Sequence, residues 1–137
     1  MRFNEEQLRE LGAARHSLLD FATLRATPEL LMAFAALFFC ELIEVEGHYF
    51  VAEKFDPRVF DESKTRLTDL REVQRIMNQI QIRTLLQNAE VSDSLARVCA
   101  QVIASAWNEV HGPNHVVAEV HGTTLEDLSV TLVDAHE

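Results

Sequence analysis

Three groups of residues have types and spacings that could do chemistry. His115, Glu119 and His121 share one parity on an alternating segment, so on a β-strand they project from the same face. Imidazole and carboxylate are ordinary ligands of zinc or iron, and His48 from a neighbouring strand would complete a divalent-metal set. The same pattern also describes the solvated side of an amphipathic hairpin. Glu41, Glu44 and Glu46 cluster with His48 near an expected helix C-terminus, where acids oppose the helix dipole and call for a cation such as Arg71 or Arg75. Arg71, Gln74, Asn78 and Gln81 form a polar helical stripe rich in amides, suited either to a contact surface or to ordinary solvation.

Other chemistries leave no trace. Four glycines make no phosphate-cradling loop, and no nucleophile elbow, Cys-x-x-Cys or Glu-x-x-His pattern occurs. Cys40 and Cys99 fall within apolar helical patterns, where a thiol is a small hydrophobe that stays reduced and is not catalytic. No cofactor is expected apart from the divalent-metal alternative.

Bulk properties narrow the partner. The 137 residues carry a formal net charge of −10, and no Lys or Arg follows Arg97. That balance disfavours direct contact with nucleic acid and with anionic membranes, and it favours a protein partner with a basic surface. The longest apolar run, Leu30 to Cys40, is too short to span a bilayer, and the N-terminus lacks the apolar core of a signal peptide. The expectation is a cytoplasmic protein.

The elements that must position these residues follow from periodicity. Asn4 with Gln7 starts a helix over about 5–24. Thr27-Pro28-Glu29 starts a second, apolar all round, running to about Val45. The 48–54 segment reads as a strand ended by Asp56-Pro57, and 64–88 as a third helix. Ser92 caps a fourth, stopped by Gly112-Pro113. Alternation over 115–121 and 128–132 gives a C-terminal hairpin.

The expected fold is a single α+β domain over 1–137, mainly α. About four helices pack around the central apolar helix, and a small antiparallel sheet joins the C-terminal hairpin to the mid-chain strand. Surplus apolar surface predicts a homodimer. The expected function is that of a non-enzymatic binding or regulatory protein of adaptor, inhibitor or immunity type. It would act through Glu119, Glu126, Asp127 and Asp134, with Leu125 or Trp107, which reads as a core or interface anchor, as apolar anchor. The alternative is a metal-dependent or small-molecule enzyme using His115, Glu119, His121 and His48.

Overall fold

The computed structural model describes residues 27–87 and 90–135, so the expected helix over 5–24 lies outside the described residues. The fold is α+β, with five helices and two small antiparallel sheets among those residues.

Thr27 accepts from the Leu30 N–H and Pro28 occupies the first turn of α1 (Pro28–Phe38). This helix ends seven residues before Val45. Leu42–Val45 is instead strand β1, paired with β2 (His48–Val51) across Glu46-Gly47, both at positive φ. Two central residues in that region make the tight turn whose twist matches a hairpin. The strand at His48–Val51 is therefore present, but its partner is β1 and not the C-terminal hairpin. Asp56-Pro57, expected to end a segment, caps and opens α2 (Pro57–Arg66).

The expected helix over 64–88 is broken twice. Asp69 accepts from Arg71 N–H and caps a fresh helix, α3 (Leu70–Met77). Ile80–Gln81 then forms β3, followed by one turn, α4 (Ile82–Leu85). α5 (Asp93–His111) starts at its Ser92 cap as expected. β4 (Val116–His121) and β5 (Ser129–Asp134) form the expected hairpin, in register from Val116 with Asp134 to His121 with Ser129. The third strand of this sheet is β3, which pairs with β5 in the order β3-β5-β4.

The helix at the centre is α5, not α1. Ala96, Ala100, Ile103 and Trp107 of α5 pack against Val116, Val130 and Leu132 on one face of the sheet. On the other face lies α3, where the Thr131 hydroxyl donates to the Arg75 carbonyl at 2.6 Å. A second core joins Phe50 of β2 to Phe60, Val73 and Met77, with Phe50, Phe55 and Phe60 meeting at ring-centroid distances of 5.2–5.4 Å. By contrast, α1 has no buried residue, so the expected central position of the apolar helix is corrected.

Two amides, Gln74 of α3 and Asn78 at its C-cap, tie the two cores together. Asn78 is fully buried. It accepts from Val51 N–H at 2.9 Å and donates to the carbonyls of Tyr49 and Leu132 at 3.2 and 3.0 Å. Gln74, also fully buried, donates to Tyr49 O and Asp134 Oδ1 and accepts from Asp134 N–H at 2.8 Å. Two members of the stripe read as a possible contact surface, Gln74 and Asn78, thus substitute for backbone pairing between β2 and β5.

The β4–β5 loop depends on Gly122, at φ +93°. A Cβ there would lie 2.3 Å from the Asp127 carbonyl oxygen. Gly122→Ala is expected to destabilise the domain by at least about 1–3 kcal/mol, from left-handed strain and collision with fixed backbone. A urea midpoint equal to that of the parent protein would refute this.

Candidate functional site

The expected metal ligands do not converge. His115 sits at the left-handed residue before β4 (φ 59°) and is exposed. His121 meets Glu119 at 3.0 Å, while His48 meets Asp134 at 2.5 Å. Among the described residues, no three His, Cys, Asp or Glu side chains are placed to hold a metal ion.

The acids proposed for a partner surface have internal duties. Glu119 accepts from Arg75 Nε at 3.0 Å and faces Arg71 Nη2 at 3.5 Å. Burial alone would raise its pKa, but hydrogen bonds from Arg75 and His121, with the charges of Arg75 and Arg71, bring it below the ordinary carboxylate value. Asp134 holds His48 and Gln74, and Glu126 pairs with Arg83 at 2.5 Å. Asp127 accepts the N–H groups of Thr124 and Thr123 and the Thr124 hydroxyl, which lower its pKa. Neutralising Glu119 or Asp134 would therefore remove internal contacts as well as change any encounter. Glu46, one of the acids expected near Arg71 or Arg75, is instead paired with Lys64 at 3.1 Å.

A pH consequence follows for Glu119. A carboxyl whose folded pKa is depressed contributes stability above its unfolded pKa of about 4.3 and loses it as pH falls through the folded value. Between about pH 5 and pH 2, the parent protein is expected to lose more stability than Glu119→Gln. Parallel chemical-denaturation curves for the two would contradict this.

The proposed anchors are internal too. Trp107 is 0 % exposed, and its indole N–H donates to Leu37 O at 2.8 Å. It is the core post on which α1 rests, the core rather than the partner-facing side of its reading as a core or interface anchor. Leu125 is half-buried against the same core, its N–H bonded to Asp93.

The most exposed large apolar side chains among the described residues lie on α1 and its C-cap Phe39. The inner stripe of α1, Leu37 with Phe38 and then Cys40, packs on the α5 core, and Cys40 Sγ lies 3.4 Å from His111 Nε2. Burial raises the Cys40 pKa and lowers that of His111, so both groups favour their neutral forms. Its outer side presents Leu31, Met32 and Phe39 at 67 %, 73 % and 69 % exposure, with Leu30 and Phe34 beside them. Scattered exposed apolar residues are ordinary, but five large ones within residues 30–39 make this segment the candidate contact surface. Glu29 and Glu41 flank this face, Glu53 follows the strand beside it, and no Lys or Arg occurs between residues 26 and 53.

Sequence reasoning registered the all-round apolarity of this segment and read it as either the central element of the domain or part of a subunit interface; the structure excludes the central position. The clue to the opposite outcome was the pattern Leu42-Ile43-Glu44-Val45-Glu46-Gly47, which ends the helix early and leaves it at the periphery. Among the described residues, no helix is long and apolar enough to cross a membrane. No protein-family model, curated protein or solved structure matches the chain.

Proposed function

We propose that this chain is a non-enzymatic binding protein that docks a basic, amphipathic protein segment on the outer face of α1. The observation that carries this reading is the exposed row of Leu31, Met32, Phe34 and Phe39, bordered by acids in a stretch free of Lys and Arg. A helix lying in a shallow apolar site uses anchors at helical spacing, and basic residues on its flanks would complement Glu29, Glu41 and Glu53. The charges would chiefly speed encounter and exclude acidic partners, while the apolar anchors supply affinity. A second copy of the chain is the competing occupant. It would bring the same acids together across a two-fold axis, a repulsion that a basic partner avoids. The metal-dependent alternative lacks a ligand set among the described residues.

The test uses a labelled helical peptide with leucines at i, i+3, i+4 and i+7 and lysines elsewhere. Leu31→Ser, Met32→Gln and Phe39→Ser combined should weaken its binding by at least about tenfold, as loss of central apolar anchors does. Because all three side chains are mostly exposed, the fold should be retained. Equal binding to the parent and the triple variant would reject the surface. Sedimentation of the parent as a dimer that the triple variant dissolves would assign the face to a second copy instead.

A further inference from the structure

We propose that the cavity beneath α1 binds a small zwitterion with an apolar side chain, of the class of leucine or phenylalanine. The cavity is a half-open pocket of about 210 Å³ between α1, the 3-10 turn after β2 (Ala52–Lys54), β3 and α5. Its walls are Ala33, Ala36, Leu37, Val51, Ile80 and Trp107, with the Cys40 thiol among them. At about 30 Å³ per molecule this is the space of roughly seven waters, which suits a small metabolite and is too little for a nucleotide-sized ligand.

The polar end selects the head group. Glu53 and Lys54 both line the cavity, both are exposed, and neither forms a salt bridge among the described residues. A carboxylate beside an ammonium complements a ligand carrying both charges, the ligand ammonium on Glu53 and its carboxylate on Lys54. A more open groove of about 440 Å³, lined by Gln79, Gln81 and Thr84, shares Lys54 and Ile80 with it. Apolar walls with a few placed polar groups are the usual composition of a ligand site.

Trp107 is the only tryptophan, so its fluorescence reports on occupancy of the cavity it lines. Leucine and phenylalanine should give saturable changes with half-saturation near or below about 1 mM. Leucinamide, which keeps only the ammonium and mimics a peptide N-terminus, and 4-methylpentanoate, which keeps only the carboxylate, should each bind at least about tenfold more weakly. Glu53→Gln and Lys54→Gln should each cost leucine a similar factor without unfolding the protein, since both side chains are exposed. Ala36→Leu, which fills the cavity, should abolish the signal. Absence of a saturable response to leucine and phenylalanine, equal binding of all three aliphatic compounds, or unchanged binding in both charge variants would each overturn the proposal. Glu53 borders both this pocket and the outer face of α1, but Leu31, Met32 and Phe39 do not line the pocket, so their substitution should leave this titration unchanged.

Discussion

Trp107→Ala is expected to destabilise the protein by about 3–5 kcal/mol, the range for a fully buried large aromatic replaced by alanine. Trp107 is 0 % exposed within the α5 core and holds Leu37 O through its indole N–H. Its removal therefore opens a cavity and also leaves a carbonyl at the base of α1 without its partner. Against a total stability of about 5–15 kcal/mol for an ordinary domain, the loss is large. For a chain of this length it should lower the melting midpoint by roughly 10 °C or more. Trp107→Phe separates the two contributions. It keeps most of the apolar volume and loses the donor, so it should cost about 1–2 kcal/mol, and the loss should concentrate in α1. Amide exchange is the measurement of choice: faster exchange in α1 than in β5 of Trp107→Phe is the expected pattern. A Trp107→Ala midpoint within about 3 °C of the parent would show that the residue is not the post it is taken to be.

The second large effect is expected at Asn78. Its side chain satisfies Val51 N–H and the carbonyls of Tyr49 and Leu132, three groups on two strands of different sheets. Each buried polar group left unpaired costs about 1–3 kcal/mol, so Asn78→Ala is expected to cost about 3–5 kcal/mol after partial relaxation. Asn78→Asp provides the sharper comparison. The carboxylate still accepts from Val51 but cannot donate to the two carbonyls, and it places a charge in a fully buried position. Asn78→Asp should therefore be no more stable than Asn78→Ala at neutral pH, and it should recover part of its loss in mild acid as the carboxyl protonates. Urea denaturation with the slope held constant measures both. An Asn78→Asp variant as stable as the parent at pH 7 would reject the account. Among the described residues, every buried side-chain polar atom has a partner, so this part of the interior offers no idle group to replace those bonds.

The amides of α3 and its C-cap also show where a polar stripe misleads. Gln74 and Asn78 have the same composition signature as a contact face, because both uses require donors and acceptors without full charge. Only the docking of β2 and β5 against α3 decides that they are internal. Glu119 is a parallel case. As a residue on an alternating strand it could be a ligand, a partner contact or a solvated acid, and the arrival of Arg71 and Arg75 from α3 makes it an internal counter-ion.

Local signals determined what local physics controls. Ser92, Thr27-Pro28 and the alternation over 115–121 define α5, the start of α1 and the C-terminal hairpin, because capping, ring-fixed φ and period-two burial act within a few residues. Mixed α+β character followed from the same signals. The tertiary structure alone decided which strand joins which sheet: His48–Val51 folds back on Leu42–Val45 through the Glu46-Gly47 turn, and Ile80–Gln81 fills the edge beside β5. It also decided that α5 is the centre and α1 the exposed flank. An apolar helix reads the same from its sequence whether its outer face meets the core or a partner, since hydrophobic burial is non-directional and records only that cover is needed.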